Sequence, residues 1–148
     1  MTPPERPLPM RRRRFHRAVF LAAGAYNLAW GAASALWPHA LFDFAGMPRL
    51  NYPEVWQCLA MVVGLYGLAY WEVARRPERG FAIAAVGLLG KVLGPIGAAW
   101  AIARPVDPWP LAFAALNLAN DLVWWIPFGL YLHDAWPHYR ADWHAHDA

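Results

Sequence analysis

One cysteine and one lysine are all that the 148 residues hold of those two side chains. Cys58 alone excludes a disulfide framework and any dithiol redox centre within one chain, and with it a soluble thiol peroxidase. Charge is also scarce. Asp, Glu, Lys and Arg make up 16% of the residues, where a soluble domain carries about a quarter, so much of the chain must avoid water. Six histidines are present, yet none lies deep in a long apolar run, which removes a buried haem-ligand pair. No internal repeat or second domain is visible, and the length supports one compact unit.

Apolar sequence dominates instead, with 59% hydrophobic and 16% aromatic residues. Four runs, 18–37, 55–73, 81–103 and 111–132, approach the ~20 residues that a bilayer core requires of a helix. They are continuous in Ala, Leu and Gly, unlike the alternating segments of a membrane barrel. Pro95 and Pro127 sit inside the third and fourth runs, where lipid-embedded helices tolerate them. The expected fold is all-α, a four-transmembrane-helix antiparallel bundle over 15–132. A disordered basic tail, 1–14, precedes it, and a cytoplasmic tail, 133–148, follows.

The net charge is +3, and its distribution is that of a membrane surface and not of a nucleic-acid face. Arg6, Arg11, Arg12, Arg13, Arg14 and Arg17 precede the first run, Arg75, Arg76 and Arg79 follow the second, and Arg140 lies beyond the fourth. The opposite side has Arg49 and Arg104. That asymmetry predicts both termini in the cytoplasm. Trp37, Tyr52, Trp56, Trp100 and Trp109 fall at the outer boundary, and Phe15, Tyr70, Trp71, Phe81 and Tyr131 at the inner one, as an aromatic belt would. A signal peptide cut near Ala33-Ser34-Ala35 competes for the first run, but the run exceeds the ~7 to 15 residues of a signal core.

The residues that should not be in lipid carry the functional information. Lys91 is central in the third run, Asp121 in the fourth and Asn27 in the first, so three polar side chains share one depth. An ionisable group there costs at least ~2.5 to 3.5 kcal/mol and should find a partner. A seven-residue connection, 104–110, makes the third and fourth spans antiparallel neighbours, so Lys91 and Asp121 should pair, with Asn27 hydrogen-bonding either one. Pro95 has no amide hydrogen, which should leave the Lys91 carbonyl free. Asn117, Asn120, Asp121 and Trp124 recur on one face, and Gln57 extends the polar column outward. Loop 38–54, with Phe42, Phe44 and Met47 beside Asp43, is expected to lie over that column as an interfacial flap.

Simpler explanations compete for these residues. The pair can be a functional centre or a structural lock on helix register, and both readings stand. Asn27 alone is more often interhelical glue, and Trp124 and Trp125 more often core than a stacking platform. Gly87, Gly90, Gly94 and Gly97 read as a close-packing seam. Cys58 reads as an inert small residue. His133, His138, His144 and His146 lack the spacing of a metal site, so no metal is expected.

The strings YNLAWG from Tyr26, FDFAGMPRLNYP from Phe42, WQCLAMVVGLYG from Trp56, GLLGKVLGPIG from Gly87 and NDLVWWIPFGLYL from Asn120 resemble those of a group of small bacterial four-helix membrane proteins without assigned chemistry. In size and layout the chain is similar to the DoxX-like class. That likeness implies a membrane subunit working beside a redox partner protein and the quinone pool, and it transfers no residue.

Two function classes follow. One is a binding or translocation module in a bacterial inner membrane, whose midplane site takes a small polar, anionic or lipid-linked head group. Lys91 is then counter-ion, with Asn117, Asn120 and Asn27 as hydrogen-bond partners. The other is a membrane-embedded redox accessory or enzyme in which a quinone stacks near Trp124 while Lys91 and Asp121 handle protons.

Overall fold

The computed structural model describes residues 9–106 and 109–146. Among them are five α-helices: α1 (Arg13–Leu36), the short α2 (Ala40–Phe44), α3 (Pro53–Arg75), α4 (Phe81–Ile102) and α5 (Leu111–His146). All but α2 are long and apolar enough to cross a bilayer, so the chain is a multi-pass membrane protein built as an all-α bundle. Of the four, α4 is the most apolar. Pro53 opens α3 at a position where a missing amide hydrogen costs nothing. Pro77 opens a 3-10 turn, Pro77–Arg79, that connects α3 to α4.

The bundle is two tight pairs set loosely together. α1 and α3 meet through glycines. A Cβ on Gly31 would come within 2.7 Å of the Ala60 carbonyl and the Gly64 Cα, and one on Gly67 within 2.6 Å of the Gly24 carbonyl. Lipid gives helices little hydrophobic reason to associate, so this backbone approach supplies the attraction. The second tight pair is α4 with α5.

The seam expected on α4 is only half present. Gly87 lies under the Tyr70 hydroxyl and Gly94 under the Asp121 carboxylate, with no room for a Cβ at either. Gly90 and Gly97 have no atom within 4 Å of where a Cβ would stand. The three-and-four spacing spreads over two faces of the helix, and one of them is open.

The pairs join at two levels. At the end carrying the arginine clusters, the basic end, Phe20, Tyr70, Phe128 and Tyr131 form a buried aromatic cluster drawn from α1, α3 and α5. Tyr70 and Tyr131 are therefore core and not belt residues; the Tyr131 hydroxyl donates to the Pro77 carbonyl at 2.7 Å. At the opposite end Phe42 of α2 packs on Trp56 and Phe113, 5.1 and 5.4 Å between ring centroids. The loop thus lies over the bundle as a flap, with Phe44 turned out. Arg49 holds it by a bidentate pair with Asp43, whose carboxyl is kept below the usual carboxylate range by those hydrogen bonds.

Helix extends past the expected bundle, 15–132, at both ends. The helix α1 starts at Arg13, ahead of the expected span, and the left-handed Arg12 before it is clamped by Asp134 of α5. Asp134 also lies 2.9 Å from Nε2 of the fully buried His16. The expected disorder of 1–8 falls outside the described residues. Beyond 132 the chain remains helical to His146, with Phe81 stacked on Tyr139 at 4.5 Å. The polar residues after Leu132 end the apolar run but not the helix.

Candidate functional site

Between the two helix pairs lies a cavity of about 550 Å³, a size typical of small-molecule sites. α3 gives it one wall, Trp56, Leu59, Val63, Tyr66 and Tyr70, a stripe at intervals of three and four that is a single helix face. α1 contributes Tyr26, Asn27 and Trp30, and α5 contributes Asn117, Asn120 and Asp121. From α4 come Lys91 and the small or apolar residues around it.

Lys91 and Asp121 are brought together, Nζ to Oδ1 at 3.4 Å, with both side chains about nine-tenths buried. The carboxylate is further held by Asn120, whose amide donates to Oδ1 at 2.8 Å. The Asn120 side-chain oxygen accepts in turn from the Tyr26 hydroxyl. A chain of polar contacts therefore runs from α4 through α5 to α1, across the gap between the pairs. Polar networks of this kind bias the helices toward one arrangement. Gly94 makes the chain possible, since any side chain there would occupy the position of the Asp121 carboxylate.

Three expected contacts take other forms. Asn27 lines the cavity but donates to the Val63 carbonyl of α3 at 3.3 Å and not to the ion pair, because its side of α1 faces α3. The Lys91 carbonyl released by Pro95 is not free: the Trp125 indole donates to it at 3.0 Å. One turn of α4 thus presents its ammonium to the cavity and its carbonyl to the neighbouring helix. Gln57 stands outside the cavity and donates to the Ala35 carbonyl at 2.7 Å, tying α3 to the end of α1.

Trp124 is not a lining residue either. It packs between Tyr26 and Phe128, with the Lys91 ammonium 6.0 Å from its ring centroid, and its indole N–H is buried without a partner among the described residues. Asn117 does line the cavity, donating to the Phe113 carbonyl one turn back. Sequence reasoning missed Tyr26, Trp30, Tyr66 and Tyr70 as lining residues. The signal was there in the three-and-four spacing of the stripe Trp56, Leu59, Val63, Tyr66 and Tyr70 on α3 and in the spacing of four between Tyr26 and Trp30 on α1.

No cluster of His, Cys, Asp and Glu suited to a metal ion occurs among the described residues. Cys58 is an exposed free thiol on α3. Compared with protein-family models, curated proteins and solved structures, the chain matches none.

Proposed function

We propose that this is a membrane-embedded binding protein whose cavity holds a small polar or lipid-linked ligand at mid-bilayer depth. The observation that carries the reading is the cavity built around Lys91 and Asp121. Ionisable residues inside a membrane are expensive, and a pair needed only for register would be served by direct packing; here it borders a space large enough for a ligand. Binding is favoured over translocation because aromatic clusters lie at both ends of that space. The redox reading has less support, since the ring that would stack a quinone, Trp124, stands behind the cavity wall.

Native mass spectrometry of protein taken from mild detergent is expected to show a bound mass above that of the polypeptide. Asn117→Leu and Tyr66→Trp, which remove a polar group and fill space, should each lose it without loss of fold. A folded wild-type protein that flies bare would sink the reading, and a visible absorbance spectrum from the bound species would move it to the redox class.

The arginine asymmetry supports placing both termini in the cytoplasm of a bacterium, with α2 outside. In a Cys58→Ser background, a cysteine placed at Leu50 should react with an impermeant maleimide added to intact cells. One placed at Arg76 or after His133 should react only after lysis. Labelling of the C-terminal position from outside would reverse the orientation.

A further inference from the structure

The cavity has two sides as well as two ends. The side between α1 and α5 is bridged by the Tyr26 hydroxyl on Asn120 and the Tyr26 ring on Trp124. The side between α3 and α4 has no such bridge among the described residues. α3 and α4 meet only sparsely although they are consecutive in the chain. The lining residues along that line keep about half of their surface accessible: Leu59 is 50% exposed, Leu89 57% and Leu93 56%. Gly90, between them, lines the cavity and has no atom within 4 Å of where a Cβ would lie. At the basic end Tyr70 belongs both to the wall and to the buried aromatic cluster, and at the other end Trp56 does the same beneath Phe42. The gap is therefore apolar, faces the lipid tails and leads straight to Lys91.

Charge narrows what passes through it. Lys91 and Asp121 are the ionisable pair on the wall, and the pair sums to zero wherever its proton resides. A phosphate head would bring an uncompensated charge into a low-dielectric space, which is strongly unfavourable. An uncharged head fits better. Lys91 has three N–H donors and spends one direction on Asp121, which leaves donors for carbonyl or ester oxygens. Asn27 and Asn117 use their amide N–H groups on backbone carbonyls, which leaves their side-chain oxygens to accept from a hydroxyl.

Resting on the ligand-binding reading above, we infer that the ligand is an uncharged lipid with oxygen-bearing head, taken up sideways from the bilayer between α3 and α4, its chain leaving past Leu59, Leu89 and Leu93.

The test uses the full chain in phosphatidylcholine nanodiscs with two photoreactive probes of identical acyl chain, a diazirine diacylglycerol and a diazirine phosphatidic acid. Crosslinks mapped by peptide mass spectrometry are expected on Val63, Tyr66 and Asn117 with the diacylglycerol, at least about tenfold above the phosphatidic acid, and suppressed by unlabelled diacylglycerol. Crosslinks on Val123 and Ile126, on the outer surface of α5, should be neither selective nor suppressible. Gly90→Trp, placed in open space where it leaves the fold intact, should reduce the cavity crosslinks about tenfold and leave the outer ones unchanged. Leu93→Trp provides a second block. Suppressible cavity labelling that survives both blocks would overturn the lateral route, and equal labelling by phosphatidic acid would overturn the uncharged head, each while the ligand-binding reading stands. Cavity labelling by neither probe overturns this inference; the underlying reading falls with it only if native mass spectra are also bare.

Discussion

Lys91→Met and Asp121→Asn are each expected to destabilise the protein by about 3 to 5 kcal/mol, because each strands one charge in a buried, low-dielectric site. The double variant removes the penalty together with the attraction and should recover most of the loss. Thermal unfolding in detergent and membrane yield measure all three. Asn fits the space of Asp121 beside Gly94, so the single variants fail through charge and not through shape. Additive damage without rescue would show that the 3.4 Å approach contributes nothing to stability. The rescued variant also separates the two readings of the pair. If the pair only locks register, the bound mass persists; if it binds ligand, the double variant is stable and bare.

The second large effect belongs to the α1 and α3 interface. Gly31→Leu or Gly67→Leu sets a side chain against opposing backbone, where no rotamer change gives relief, so the helices must separate. The loss should reach or exceed the usual overpacking range of about 1 to 3 kcal/mol. Gly97→Leu, on the open face of α4, should change the melting temperature little. Equal losses at Gly31 and Gly97 would remove the glycine contact as the basis of that pairing.

Length and apolarity made the four spans and the antiparallel neighbours legible, since the bilayer sets both. The pairing of Lys91 with Asp121 was legible for the same reason: shared depth leaves an expensive charge few partners. Rotation of one helix against another was not. Asn27 sits at the expected depth yet is turned to Val63, and four glycines on one helix divide between a packed and an open face. Sequence spacing fixes which residues share a face, not which neighbour that face meets. The Trp125 contact with the Lys91 carbonyl was out of reach because it depends on the approach of α4 to α5. The helical continuation of α5 was hidden because the polar residues after Leu132 end the apolar run without ending the helix.

The position of Lys91 also bears on how the chain is made. Every residue of the α1 and α3 contact precedes Arg76, so that hairpin can close in the membrane while the rest is still being synthesised. α4 follows with its lysine, and the carboxylate that neutralises it arrives 30 residues later. If α4 is released into lipid during that interval, it carries an unmatched charge at its centre, against an insertion penalty of ~2.5 to 3.5 kcal/mol. The apolarity of α4, the highest of the four spans, offsets that penalty. The same apolar side chains also build the finished bundle: Ile83 and Leu88 pack on the core, and Val86, Leu89 and Leu93 line the cavity.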